Sequence, residues 1–320
     1  MFPLGDKELK IGILGMTEGN GHPYSWSAMF NGYDPAEMET CGFPVIPRYL
    51  EKQAPHTFGI PGARITCVCC TGYAEREEAE HIARAARIPT VYDRPEEMIG
   101  QVDAVIVATD NGNEHVDRCR PFVEAGIPMF VDKPLVNTEE DLRTFVRWHK
   151  EGAKFISSSS LRYCKEIEPY YVNHYELGKL MYICSPMAKY YETYGIHALE
   201  RMYPLLGEGF LSVRNTGTKQ KTIVHIKHES GCDVHIVQAP GLNTCGMTVL
   251  GDKGAIQLRS GDSYYCFKRQ LDLFVRWLRT GEEPFPFRET VELMKLVIAG
   301  IRSREEGGRE VFLTEINTDC

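Results

Sequence analysis

The chain has 320 residues, of which 43% are hydrophobic and 25% charged. That composition is the one of ordinary globular proteins and excludes disorder, collagen and low complexity, while the length suits two domains. A net charge of −8 gives no general attraction to phosphate polymers or anionic membranes, so nucleic acid is not an expected partner.

The opening residues Met1 to Glu8 lack a basic stretch followed by an apolar one, and no run approaches the ~18 apolar residues of a membrane span. A cytoplasmic protein without a membrane segment is expected. The 11 cysteines are an odd number, and Cys67, Cys69 and Cys70 crowd one short apolar run. They read as reduced, buried thiols. No metal is expected there, because the run lacks the two-residue knuckle spacing and no second pair follows.

In chain order, Leu9 to Leu14 is a short apolar run bounded by Gly15, as in a strand buried on both faces of a parallel sheet. A helix follows around Ser25 to Phe30. The next strand is Ile65 to Cys70, then a helix from about Ala74 to Arg87. Val102 to Ala108 precedes a helix whose Val116, Cys119, Phe122 and Val123 share a face. Ile127 to Val131 leads to a helix opened by the capping pattern Thr138-Glu139-Glu140-Asp141, and Phe155 to Ser157 closes the series. Strand and helix in alternation build an open parallel sheet with helices on both faces. The interval from about 31 to 62, rich in proline and glycine, reads as an insertion that forms a lid or an interface.

After residue 160 the pattern changes to alternating strands: Lys179 to Met187, Phe210 to Asn215, Thr222 to His228, Val234 to Gln238, Met247 to Leu250 and Ala255 to Leu258. The tight turn Gly251-Asp252-Lys253-Gly254 fits an antiparallel sheet. Two helices end the chain, one with Leu271, Phe274, Val275 and Leu278 in a stripe, the other from about Glu289 to Ile301. The fold class is therefore α/β: a Rossmann-type doubly wound parallel sheet over 1–157, and an α+β domain with a large, mostly antiparallel open sheet over 158–320. The last helices are expected to pack back on the first domain.

In a doubly wound fold the turn after the first strand cradles a dinucleotide pyrophosphate at the next helix N-terminus. Here it reads Gly15-Met16-Thr17-Glu18-Gly19-Asn20-Gly21-His22, glycine-rich but with Thr17 where a second glycine would stand. The alternative is an ordinary strand-to-helix loop. After Cys70 come Thr71 and Gly72 in place of the acid that usually holds the NAD ribose. Thr71 with Arg76 could accept a 2′-phosphate, so NAD and NADP both stay open; alternatively the two residues only cap and solvate the helix. The stretch Gly21-His22-Pro23-Tyr24-Ser25-Trp26 could roof the cofactor or touch substrate; the alternative is that Pro23 starts the helix, Ser25 satisfies its amides and Trp26 fills core. His225, His228 and His235 sit in strand patterns and read as sheet positions instead of metal ligands.

The sharpest signal is Asp132-Lys133-Pro134-Leu135, which sets a lysine at the carboxyl end of a parallel strand, where ligands of such sheets bind. Together with Thr109 to His115, Ser159 to Tyr163, Gly195 to Glu200 and the tail from Glu289 to Leu313, it resembles the Gfo/Idh/MocA (glucose-fructose oxidoreductase/inositol 2-dehydrogenase) family over nearly the whole chain. Asp132 stands for that family's Glu and Asp110 for its Pro.

The resemblance implies hydride transfer between a nicotinamide, NAD or NADP, and a sugar, polyol or related hydroxy compound. Lys133 and His197 then form the acid/base pair, Asp132 orients the lysine, and Thr193 and Tyr194 lie on the catalytic turn. Cofactor contacts fall on Gly15, Met16, Thr17, Gly21, His22, Thr71, Thr109, Asp110, Asn113, His115 and Lys133. Substrate contacts fall on Lys133, Arg162, Tyr163, Tyr194 and His197. A base aimed at the carbinol is worth roughly 10² to 10⁴ in rate. For a lysine, reaching a pKa of about 7 to 8 costs roughly 4 kcal/mol. One departure bears on mechanism: the family commonly has an Asp one turn before the histidine, and this chain has Thr193, so Tyr191, Tyr194 or Tyr163 would have to substitute. A cofactor-binding sensor without turnover and an enzyme using nicotinamide transiently for elimination or isomerisation are the rival readings. A homo-oligomer, dimer or tetramer, through the second sheet is also expected.

Overall fold

The computed structural model describes residues 2–73, 75–243, 246–259 and 261–319. In chain order its elements begin with β1 (Leu9–Gly15), α1 (His22–Asn31), α2 (Pro35–Glu39), α3 (Val45–Leu50), β2 (Ala63–Cys70), α4 (Arg76–Ala85), β3 (Thr90–Tyr92) and β4 (Ala104–Val107). Then come α5 (His115–Glu124), β5 (Met129–Val131), α6 (Glu139–Lys150), β6 (Phe155–Ile156), α7 (Glu168–Val172), β7 (Leu180–Cys184), β8 (Met187–Ala188) and α8 (Tyr191–Leu206). The chain ends with β9 (Phe210–Asn215), β10 (Thr222–His228), β11 (Asp233–Ala239), β12 (Gly246–Gly251), β13 (Ala255–Arg259), α9 (Ser263–Thr280), α10 (Phe287–Glu305) and β14 (Glu310–Phe312). Two compact units divide it: 1–132 with 147–157 and 267–285, and 133–146 with 158–266 and 286–320.

The first unit holds a parallel sheet of order β3-β2-β1-β4-β5-β6, the doubly wound arrangement expected. Ile11, Ile13, Leu14, Val105 and Ile106 are fully buried, which is why these strands read as unbroken apolar runs. The short β3 escaped the sequence reading because its three residues are only partly buried and carry too little periodicity. Helix α4 begins at Arg76; Ala74 lies outside the described residues. It turns Ala79, Ile82 and Ala83 inward behind the acidic first turn Glu77-Glu78. Trp26 is a core residue, edge-on to Phe130, which in turn meets Phe274. The interval from 31 to 62 contains the two short helices α2 and α3. At the head of α6 the Thr138 hydroxyl accepts from the Asp141 amide at 3.1 Å and donates to the Asp141 carboxylate, which supplies the hydroxyl-to-amide half of the capping pattern read from the sequence.

The second unit holds an eight-stranded sheet of order β13-β12-β7-β11-β10-β9-β14, with β8 beside β11. Most pairs are antiparallel; β11 runs parallel to β7 and β8. Inner positions such as Val213, Val224, Ile226, Val234 and Ile236 are fully buried. The other face exposes Ile223 across from Val237, Tyr182, Leu211 and Phe312, and stacks His225 on His235 at 4.9 Å. On the inner side, Tyr191 of α8 is clasped by two glycines. A Cβ on Gly195 would come within 2.6 Å of its ring, and one on Gly300 within 2.5 Å of its hydroxyl. No helix among the described residues is long and apolar enough to cross a membrane.

Candidate active site

In the first unit the sheet order reverses between β1 and β4, whose carboxyl ends flank the crevice where doubly wound sheets bind ligands. The turn after β1 is built for close packing. A Cβ on Gly15 would meet Pro23 at 2.8 Å, and one on Gly21 would meet Ile46 at 2.5 Å; Gly19 adopts φ +77°. Met16 is buried and Glu18 exposed. The Thr17 hydroxyl donates to Asp110 at 2.6 Å and accepts from the Asp110 amide at 3.3 Å, tying the β1 turn to the end of β4.

Asn20, which the sequence reading missed, ties three pieces together. Its amide nitrogen reaches Asp132 Oδ2 at 3.2 Å and the Ala108 carbonyl at 3.4 Å, and its oxygen accepts from the His22 amide at 2.9 Å. His22 Nδ1 meets the same Asp132 oxygen at 2.6 Å, with its ring stacked on Trp26 at 4.3 Å. Ser25 does not cap α1; its hydroxyl accepts from Tyr49, and Asn20 serves the helix start. The signal for Asn20 was its place at the end of a glycine turn, which the search for a glycine pattern passed over.

At the end of β4, His115 is buried and its Nε2 meets the Thr109 carbonyl at 2.7 Å, so it holds the loop. The buried Thr109 hydroxyl has no hydrogen-bond partner among the described residues. Asn113 binds Asn111 through its backbone amide at 3.2 Å.

At the ends of β2 and β3 a cavity of about 310 Å³ is lined by Cys70, Thr71, Gly72, Glu75, Arg76, Tyr92 and Asp93. The Thr71 hydroxyl and carbonyl are held by Arg118 at 2.7 and 3.3 Å. Arg76 donates to Asp93 at 2.6 Å and to Glu80 at 2.8 Å. Neither residue is spare in the way an open 2′-phosphate site would require. Burial pushes the thiols of Cys67, Cys69 and Cys70 up to about 12, so all three are protonated and inert. Among the described residues no group of His, Cys, Asp and Glu could hold a metal ion.

In the second unit, Lys133 is buried, 2% exposed. Its Nζ lies 5.2 Å from the centre of the Tyr194 ring, and His197 stands edge-on to that ring at 4.7 Å. Two distant stretches of sequence, the one after β5 and the first two turns of α8, thus supply neighbouring side chains. His197 Nδ1 meets the Ser159 hydroxyl at 2.6 Å, while Glu200, one turn later on α8, accepts from the Ser159 amide at 3.1 Å. A serine therefore orients the imidazole and is itself held by a carboxylate.

Arg162, expected to contact substrate, is held by two carboxylates. Its guanidinium is buried, donating to Glu200 at 2.8 Å and to Glu289. Tyr163 is buried, its hydroxyl 3.3 Å from that of Ser158. The Thr193 hydroxyl donates to the Tyr190 carbonyl at 3.5 Å, and the Tyr191 hydroxyl donates to the Leu296 carbonyl at 3.0 Å. Of the three tyrosines considered as stand-ins for the family's Asp, the structure brings Tyr194 to Lys133 and His197.

One unit carries the parallel, doubly wound sheet of the nucleotide-binding class, and the other carries a large, mostly antiparallel sheet. Residues 50–159 match the Gfo/Idh/MocA family model, described as "Oxidoreductase family, NAD-binding Rossmann fold". This region is the NAD-binding Rossmann fold of that oxidoreductase family, as the motifs implied, and its cofactor class is nicotinamide dinucleotide. No curated protein matches the chain.

Among solved structures, a probable dehydrogenase from Thermotoga maritima shares 16% identity and superposes with a TM-score of 0.73, covering 97% of this chain and 100% of that one. The myo-inositol 2-dehydrogenase of Lactobacillus plantarum gives 15%, 0.73, 96% and 99% in the same order. The myo-inositol dehydrogenase of Lactobacillus casei, crystallised with NAD(H) and myo-inositol, gives 16%, 0.72, 95% and 96%. At these identities the likeness shows the fold.

Proposed function

We propose that this protein is a dehydrogenase that uses NAD to oxidise, or NADH to regenerate, a carbinol of a sugar, polyol or related hydroxy compound. The observation that carries the reading is the cluster of Lys133, Tyr194 and His197, set in a chain whose first unit has the NAD-binding fold of an oxidoreductase family. The dinucleotide fits the first unit: the Thr109 hydroxyl, buried and without a hydrogen-bond partner among the described residues, lies at the crevice edge, and a cavity is lined by Thr71. Thr17, Asn20, Thr109 and the backbone of Gly15 to Gly21 would line its diphosphate and nicotinamide end, and Thr71 to Arg76 its adenosine end. When bound, NAD supplies the hydride acceptor.

The chain's own residues handle the proton. The Lys133 amine takes the hydroxyl proton as the carbinol carbon loses its hydride, and His197, oriented by Ser159, shares that proton on the substrate side. Asp132, locked by His22 and Asn20, fixes the backbone just before the lysine. Arg162 serves as an internal brace for Glu200, not as a substrate ligand.

NAD is favoured over NADP. Arg76 is bound by Asp93 and Glu80, and Glu75 adds another carboxylate, so a 2′-phosphate would face net negative charge. A homo-oligomer through the outer face of the second sheet is supported by its exposed Ile223, Val237, Leu211 and Phe312. The free thiols support a reducing, cytoplasmic compartment.

The test is absorbance at 340 nm with NAD and NADP against myo-inositol, scyllo-inositol, D-glucose and D-gluconate. Turnover with at least one of these and a preference for NAD are expected. Tight NAD binding without net reduction across the panel would break the dehydrogenase reading in favour of a sensor or of transient nicotinamide use.

A further inference from the structure

Lys189 was not among the residues the sequence pointed to, and it stands at the joint between β8 and α8. It is one of two described non-glycine residues with positive φ, at +59°. A side chain in that region carries a steric penalty that glycine would not, so the lysine side chain needs a reason to be there. Its ammonium donates to the Tyr194 hydroxyl at 2.7 Å and lies 4.2 Å from the ring centre. It forms no ion pair among the described residues. The acid nearest in sequence on this helix turn, Glu192, is taken by Arg304 at 2.6 Å.

An ammonium group has donors only, so the phenol oxygen must accept in this bond. The phenolic hydrogen is then left for a second partner, and a donor bonded to a cation is itself a stronger donor. The same ring has Lys133 over it and His197 at its edge, so that hydrogen belongs to the group of side chains assigned to the carbinol. Thr193, where a carboxylate would otherwise orient the histidine, bonds the Tyr190 carbonyl.

We infer that Lys189 is a positioning residue: it fixes the Tyr194 phenol as a hydrogen-bond donor to the substrate oxygen, on a turn where position 193 carries a threonine and not an acid. The inference rests on the dehydrogenase reading above.

A double-mutant cycle on the full chain tests it, using NAD and the best substrate of the four-compound panel. Lys189→Met should lower kcat by about 10-fold with KM within about threefold, a loss confined to the transition state. Lys189→Arg, which keeps a cation in reach, should restore the rate to within about threefold of the unaltered protein. Tyr194→Phe should be slower still, and adding Lys189→Met to it should change nothing further, because the lysine acts through the phenol.

Lys189→Gly, which relieves the backbone, serves as the folding control: it should hold its Tm yet be as slow as Lys189→Met. Full activity in Lys189→Met, or additive losses in the double variant, would overturn the inference while leaving the dehydrogenase reading intact. Absence of turnover by the unaltered protein over the whole panel would sink both.

Discussion

The two units solve the problem of placing polar groups in opposite ways. At the strand ends of the first, carboxylates do the organising: Asp110 binds Thr17, and the buried Asp132 gathers Asn20 and His22. At the head of α8 in the second, cations surround a phenol, with Lys189 and Lys133 both over the Tyr194 ring. Of the carboxylates in this second region, Glu192 is paired with Arg304 and Glu200 lies behind Ser159 and Arg162. A site that holds a fixed cofactor backbone profits from rigid acceptors, which hold loop amides and side-chain donors in place. A site that handles a moving proton profits from donors whose charge can change. On the proposed reading, the first region would hold the cofactor and the second would carry the proton chemistry.

Removing Lys133 strikes that contrast hardest. Lys133→Met is expected to lower kcat by about 10³-fold with NAD affinity within about tenfold, as stopped-flow kinetics and fluorescence titration would show. Persisting turnover would mean that the chemistry does not belong to the α8 region. Next in size is Arg162→Met, which strands the buried Glu200 without its cation. Denaturant unfolding should show a loss of roughly 3–5 kcal/mol, whereas a loss confined to KM would return Arg162 to substrate binding.

The thiols of β2 sharpen the picture of the first unit as a rigid holder. Their folded pKa, about 12, lies above the ordinary 9.0. The stability they carry is complete below pH 9 and is lost as pH rises from there toward 12. At pH 9.5 the three together should cost roughly 2 kcal/mol, visible as a falling Tm that a Cys67→Ala, Cys69→Ala, Cys70→Ala variant does not show to the same degree. The smallest effect is expected at the adenosine end. Asp93→Asn frees Arg76 from one exposed partner, and binding of 2′,5′-ADP should tighten only a few-fold because such pairs are weak; no change would mean that Asp93 has no part in cofactor choice.

Much of this was legible in the sequence. The strands β1, β2, β4 and β5 announced themselves because burial on both faces forces unbroken apolar runs, and β9 to β13 because one covered face forces alternation. The lysine after β5 could be found because a strand end is a local feature. Asn20, Arg118 and Lys189 could not. Each matters through a partner far away in the chain or through a backbone angle, and neither leaves a periodic mark.

By itself, then, the order of residues determined the two sheet types, the helix caps such as Thr138 and the candidate amine at 133, since these depend on neighbours a few positions apart. Only folding decided that Tyr194 meets Lys133 and His197, that Arg162 turns inward to Glu200 and Glu289, and that Ser159 steers the imidazole. The physical reason is that a hydrogen bond or ion pair in a buried site is set by which donors and acceptors the packing leaves without water, and that accounting spans the whole molecule.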